Sequence, residues 1–400
     1  MRVLITDGTE RAALAAARSL VAAGHDVTVA APRRLALASV TRGVRAVRLQ
    51  RDALREPAGF VVELLLLAKQ HQTNVVLPIT DASVTALLEH RPALPASLIV
   101  LAPPLPAYHT ASNKRDILCL ARDAGLDVPQ SVVLESAAQR EQLKANPPDP
   151  ALFPVVVKPH ASLVPRETGI GHKKTGVALV PDVDALHATL AGLPLEAFPV
   201  LLQRRVHGPG EGLFLLRWNG HILAAFMHRR LREKPPSGGV SVYRESIPLH
   251  PGLLSSGTRL LELLDWQGVA MIECKRDVTT GRHVLMEING RLWGSLQLAI
   301  DAGVNFPRLM VEAAGGCPAA PVTSYRLGVK SRWFWGDVDH LYQRLRHSRR
   351  TLQLDGNAGG RLGALWRFFR HAAQEREEIW RRRDPLPFLV ETLSWFRLLG

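Results

Sequence analysis

Short apolar runs alternate with helical periods at the start of the chain. Residues 2–6 (RVLIT) read as a strand, and a 3.6-residue apolar period follows from about residue 10 to 23. Gly24 closes that period as a helix C-cap before a second strand at 25–30 (HDVTVA). Residues 74–78 (NVVLP) and 97–102 (SLIVLA) are further buried strands, each after a helical pattern. This alternation predicts a parallel, doubly wound sheet over about the first hundred residues. The first turn, Thr6-Asp7-Gly8-Thr9-Glu10, lacks the three-glycine fingerprint of a dinucleotide loop, so NAD is not assigned.

Ala102-Pro103-Pro104-Leu105-Pro106 marks a boundary. Beyond it, residues 112–125 read as a helix ended by Gly125, and 146–150 (NPPDP) as a second break. From about residue 153 the pattern turns to antiparallel strands with short turns, at 153–158, 176–180, 200–206, 212–218 and 221–228. Asn219-Gly220 between the last two is a strong hairpin signal. The expected organisation is a Rossmann-like α/β domain over 1–105, then an α+β domain over 106–312 built on mainly antiparallel sheets, in lobes of 106–198 and 199–312. A helical, Arg-rich extension over 313–400 follows, with five of the eight tryptophans.

Composition adds one fact. Hydrophobic residues at 46% and charged ones at 22% are ordinary globular values, but 50 Lys and Arg face 36 Asp and Glu, formally +14. The excess points to an anionic partner, whether nucleotide, nucleic acid, phospholipid or acidic substrate. Cys119, Cys274 and Cys317 stand apart, with neither disulfide nor zinc spacing. Asp7 and Glu10 interrupt the first apolar run, and no stretch approaches the ~20 residues that span a bilayer, so a cytoplasmic protein is expected.

The most informative segment is 268–289. Strands 269–276 and 283–288 flank a turn, and a three-residue loop over 279–281, with Gly281 left-handed, would pair residue 278 with 282. Glu273 then lies opposite Glu287, and Asn289 projects from the same face. Two facing carboxylates repel unless a cation sits between them. Such oxygen ligands suit Mg²⁺, which completes its shell with phosphate oxygens and water. The alternative is a solvated strand face, which the apolar neighbours on both strands disfavour.

Lys158 ends the run Val155-Val156-Val157, placed either to reach a phosphate or as an ordinary rim lysine. Residues 162–176 (SLVPRETGIGHKKTG) are rich in Gly and basic residues, a loop that folds over a triphosphate or stays a surface hairpin. Gln203-Arg204-Arg205-Val206, followed by Gly208-Pro209-Gly210-Glu211-Gly212, has the residue types of an adenine hinge and a ribose contact.

Together these pieces resemble the ATP-grasp superfamily over residues 110–312, with the first hundred similar to its preceding Rossmann-like domain. The resemblance rests on Asn113-Lys114-Arg115-Asp116, Lys158-Pro159, Gly208 to Gly212, and above all Glu287-Ile288-Asn289-Gly290-Arg291 with Glu273 upstream. Residues 228–246 look like a subgroup of carboxylate–amine ligases related to carbamoyl-phosphate-synthase-like proteins. The resemblance implies that Lys114 and Lys158 hold ATP phosphates under the loop of Gly169 and Gly171. It implies that Gln203 and the backbone at Arg204 and Val206 read adenine, and that Glu211 binds ribose. Glu273, Glu287 and Asn289 would ligate Mg²⁺ or Mn²⁺, Arg291 would stabilise the transferring phosphoryl group, and Arg229, with the glycine segment 237–241, would face a carboxylate substrate. Gly290 stands where many relatives carry Pro, which is expected to loosen the backbone. The hinge carries two arginines where an acid is common.

The implied activity is an ATP-dependent ligase that joins a carboxylate to an amine through an acyl phosphate. No Ser-His-Asp or Cys-His set is needed, because phosphoryl transfer asks for positioning and charge neutralisation. Another acceptor, bicarbonate chemistry, or a nucleotide-binding scaffold recruiting a partner are the alternatives. Residues 330–400 hold 14 Lys and Arg against 8 Asp and Glu. Leu362, Leu365, Trp366, Phe369 and Ala373 follow helical spacing there. This tail is read as a helical appendage packed on the core, with an anionic membrane surface or a protein partner as the sharper reading. Nucleic acid is the least favoured partner, as no recognised module is present.

Overall fold

A computed structural model describes residues 1–146, 148–166, 169–317, 320–354, 359–370 and 375–399. The opening alternation becomes a five-stranded sheet, all parallel, in the order Val44–Arg48, Asp26–Ala31, Arg2–Ile5, Val75–Leu77, Ile99–Val100. The edge strand Val44–Arg48 carries no clear alternation in the sequence, because Arg45 and Arg48 interrupt its apolar residues and leave it half-exposed on an outer edge. In the first turn, where a dinucleotide loop would bind pyrophosphate, the Asp7 carboxylate accepts from the N–H groups of Ile79 and Thr80, both at 3.2 Å, and from Ser83 Oγ at 2.6 Å. It thereby pins the entry of helix Asp81–Glu89, which Thr80 caps.

The next sheet has four antiparallel strands in the order Ala178–Val180, Val155–Pro159, Val200–Arg204, Ser131–Leu134, backed by helix Val183–Ala191 over a small core. The third runs His283–Asn289, Gly268–Arg276, Gly210–Trp218, His221–Lys234, Val240–Ser246, Lys330–Arg332, Glu375–Glu377. Asn219 and Gly220, both left-handed, close its two-residue hairpin at Trp218 and His221. One face of this sheet, through Phe214, Phe226 and Met271, shares a core with the N-terminal helix Arg11–Ala22. The other, through Leu215, Met227 and Ile272, packs on helices Leu105–Ser112, Lys114–Asp123 and Pro251–Leu263.

The tail is more than a helical appendage, since it supplies two strands of this sheet. Its acids anchor it: buried Glu378 accepts from Arg11 at 2.9 Å and from buried Arg244, and Asp384 pairs with Arg18 at 2.8 Å. The apolar face of helix Arg361–Phe369 does not pack inward as helical spacing suggested. Ala364 is buried, but Leu362, Trp366 and Phe369 are exposed, and Ala373 lies outside the described residues. Among the described residues no helix is long and apolar enough to cross a membrane.

Candidate active site

Glu273 and Glu287 are direct partners across the strands Gly268–Arg276 and His283–Asn289. The turn that brings them there differs from the expected one. Gly281 is left-handed, but its N–H reaches Asp277 O at 2.8 Å and Asp277 N reaches Arg282 O at 2.9 Å, so the loop holds four residues. The ladder then pairs Arg276 with His283 and Cys274 with Leu285, and a bulge between Glu273 and Cys274 restores the facing glutamates. The extra residue, Met286, lets Leu285 and Ile288 both reach the core while Glu287 stays on the site face.

Cations converge on this pair from three elements. Lys158 closes the strand Val155–Pro159, and Lys114 opens helix Lys114–Asp123, capped by Asn113. The Lys114 N–H donates to His160 O at 2.7 Å, tying the two lysines together, and its Nζ donates to Ser162 Oγ at 3.1 Å. Burial lowers the pKa of both lysines, and the Glu287 carboxylate is the largest opposing influence on each. Arg291 pairs with Asp81 at 2.9 Å and donates to Asn289 Oδ1 at 3.4 Å, while Asn289 Nδ2 donates to Glu287 at 3.2 Å. Asp81 is the first residue of the helix pinned by Asp7, and sequence reasoning missed it. Its only trace in the sequence is an acid after a capping threonine.

Arg230 is the second missed residue. It lies 2.5 Å from Glu273 and 3.0 Å from Glu233, and Gly210, where a Cβ would come within 2.8 Å of the Arg230 chain, clears its path across the neighbouring strand. Burial pushes the Glu273 carboxyl above its usual range; Arg230 opposes that shift and Glu287 adds to it. Arg229, by contrast, is paired in register with Glu211, and the two side chains project from the opposite face to Glu273. Arg229 bonds Glu245 at 2.6 Å, and buried Glu211 bonds His283 Nε2 at 2.8 Å. The structure therefore brings Arg230, and not Arg229, to the carboxylate pair.

At the hinge, Gln203 is buried with Nε2 donating to Ser131 Oγ at 3.1 Å, and the Arg204 N–H is engaged by Gln130 O at 2.9 Å. Arg204 and Val206 line a 390 Å³ cavity with Phe153 and Val284. The Gly-rich loop forms a hairpin of Leu163–Pro165 with His172–Lys174. Gly169 and Gly171 are both left-handed; Glu167 and Thr168 lie outside the described residues. The hairpin leans on the first domain, with His172 N donating to Leu54 O at 2.6 Å.

Two carboxylates and an amide oxygen suit a hard cation. Among the described residues no group of three or more His, Cys, Asp or Glu is placed to hold a metal.

Residues 199–334 match the family described as ATP-grasp in the biosynthetic pathway with Ter operon. The chain has the ATP-grasp fold. The matched part holds the carboxylate pair and runs on through the strand Lys330–Arg332. Solved structures share the fold over most of its length. Biotin carboxylase from Campylobacter jejuni aligns with TM-score 0.60 and 14% identity, covering 82% of this chain and 74% of its own. N5-carboxyaminoimidazole ribonucleotide synthetase from Thermus thermophilus aligns with TM-score 0.57 and 18% identity, covering 80% and 79%. L-amino acid ligase from Bacillus licheniformis aligns with TM-score 0.56 and 17% identity, covering 78% and 73%. Among curated proteins, none matches the sequence.

Proposed function

We propose that the chain is an ATP-dependent ligase that activates a carboxylate and joins it to an amine, releasing ADP and phosphate. The observation that carries this reading is the facing pair Glu273 and Glu287, met in one cleft by Lys114, Lys158 and Arg291. A carboxylate oxygen attacks the γ-phosphorus of ATP, and the bridging oxygen leaves with ADP. The amine then attacks the acyl carbon, phosphate departs with the C–O electrons, and the amine's proton passes to solvent.

Lys114 and Lys158 hold the phosphates as point charges, and Val206 at the hinge reads adenine. Arg291, whose charge burial opposes but Asp81, Tyr108 and Glu287 together uphold, meets the charge that develops on the transferring phosphoryl group. Glu273, Glu287 and Asn289 would hold Mg²⁺ or Mn²⁺. When bound, that ion neutralises phosphate charge and orients the γ-phosphoryl group. The docked Gly169–Gly171 hairpin shields the acyl phosphate from water.

The test is an ADP-release screen with pooled carboxylates and amines, followed by mass spectrometry of the product. Glu287→Ala should abolish acid-dependent ADP release with an unchanged circular dichroism spectrum. Wild type that binds ATP yet releases no ADP with any pair would make the chain a nucleotide-binding scaffold. Bicarbonate is the second candidate acid, favoured by a neighbour of the same fold whose structure holds MgADP and bicarbonate. Labelled bicarbonate in the same screen separates the two.

A further inference from the structure

Helix Leu386–Leu399 docks on the protein by its polar side and leaves its apolar side outward. Inward, Glu391 accepts from Trp333 Nε1 at 2.7 Å and Thr392 Oγ1 from Trp335 Nε1 at 2.9 Å. The Trp395 ring stacks on that of Trp335, with centres 4.2 Å apart. Outward runs a stripe of Leu386, Leu389, Leu393 and Phe396, at helical spacing and each 50–60% exposed. A surface helix bordered only by water carries the opposite arrangement. Helix Arg361–Phe369 repeats the inversion, with Ala364 buried while Leu362 is 82%, Trp366 60% and Phe369 66% exposed. Phe334 ties the two helices together, its ring centre 6.4 Å from Phe368 and 6.0 Å from Phe388.

Charge is sorted across the same segment. Among the described residues from 359 to 399 the acids are Glu375, Glu377, Glu378, Asp384 and Glu391, and none is exposed. Arg361, Arg370, Arg382, Arg383 and Arg397 are exposed. The outer surface is therefore apolar and basic together. Leucine, tryptophan and phenylalanine beside arginine suit the headgroup layer of an anionic membrane. A second copy of the chain fits this face less well, because a two-fold contact would set each basic surface against its own image.

We propose that helices Arg361–Phe369 and Leu386–Leu399 hold this protein on the surface of an anionic bilayer. Their apolar side chains enter the boundary between headgroups and acyl chains, and their arginines meet lipid phosphates. No described helix is long and apolar enough to cross, so the two lie in the interface. Docking of this kind does not depend on the ligase chemistry.

The test is flotation of the full chain at low salt with phosphatidylcholine vesicles, plain or with about a third phosphatidylserine. Wild type should bind the anionic vesicles about tenfold more tightly than the neutral ones, and added salt should narrow that difference. Leu389→Ser/Leu393→Ser and Trp366→Ser/Phe369→Ser should each weaken anionic binding about tenfold or more. Arg370→Ser/Arg397→Ser should remove most of the preference for phosphatidylserine. A control pair on another exposed apolar face, Val62→Ser/Leu66→Ser in helix Pro57–Gln70, should bind as wild type does. Circular dichroism confirms that each variant is folded. The proposal is overturned if wild type does not float with anionic vesicles, or if it binds neutral ones equally well. It is also overturned if both helix pairs bind as wild type does, or if the control pair loses as much. A wild-type dimer in sedimentation velocity that Leu389→Ser/Leu393→Ser dissociates, without vesicle binding, would give the face to a second copy instead.

Discussion

Arg291 Nε lies 2.9 Å from Asp81 Oδ2, so an arginine at the end of the carboxylate-bearing strand is held by the first residue of a helix in the parallel-sheet domain. The N-terminal domain thus helps to set the geometry of the site. Asp81→Asn should lower the kcat of ADP release by about 10–100-fold while KM for ATP changes little, as expected of a residue that aims another. Steady-state kinetics decide this. A rise in KM alone would mean that Asp81 serves nucleotide binding instead.

Gly171 sits with φ +72°, and a Cβ there would come 2.5 Å from Arg55 O and 2.6 Å from Leu54 O. Gly171→Ala should therefore lift the hairpin off the first domain. The expected signs are a raised KM for ATP and faster proteolysis at 163–174, with about 1 kcal/mol or more lost from the docked state. A variant with wild-type KM and the same digestion pattern would show that docking does not matter to nucleotide binding.

Glu378 neutralises Arg11 and Arg244, and the Arg244 side chain is wholly buried. Glu378→Ala leaves that charge buried without its partner, a loss of about 3–5 kcal/mol. Urea unfolding should show it as a lower midpoint. Deleting 330–400 would strip two strands from the large sheet as well, so a liposome test of the tail calls for Trp366→Ser and Phe369→Ser in the full chain.

Burial pushes the Glu391 carboxyl up to about 8, with Glu377 adding to the shift and the Trp333 Nε1 hydrogen bond of 2.7 Å opposing it. The group is neutral in the fold at pH 7 and ionised once unfolded. Its contribution to stability is full below about pH 4 and is lost as pH rises through 8. Glu391→Gln should accordingly gain on wild type as pH rises from 5 to 8, by up to roughly 4 kcal/mol. Melting temperatures at pH 5, 7 and 9 check this; a constant gap would count against a neutral carboxyl.

The sequence revealed the parts of the site that obey local rules. Strand alternation placed Glu273 opposite Glu287, Asn-Gly announced its hairpin, and Gly281 took its left-handed place. Loop length was not legible, because a four-residue turn and a bulge at Met286 reach the same facing pair as a regular three-residue loop. Choosing between Arg229 and Arg230 required knowing which face of one strand meets the cleft, and Asp81 required the packing of two domains. Gly290 was expected to loosen the backbone; instead a Cβ there would lie 2.7 Å from the Trp266 ring, so its role is close packing.

The contact between Arg11 and Glu378 joins residues 367 positions apart. During synthesis the parallel sheet emerges first, but Arg11 and Arg244 await their shared counter-ion until residue 378 has left the ribosome. A nascent chain that has already built the carboxylate pair still lacks the edge of its largest sheet. Closing the largest sheet therefore comes late in synthesis and brings in a carboxylate, Glu378, far along the chain from the carboxylate pair.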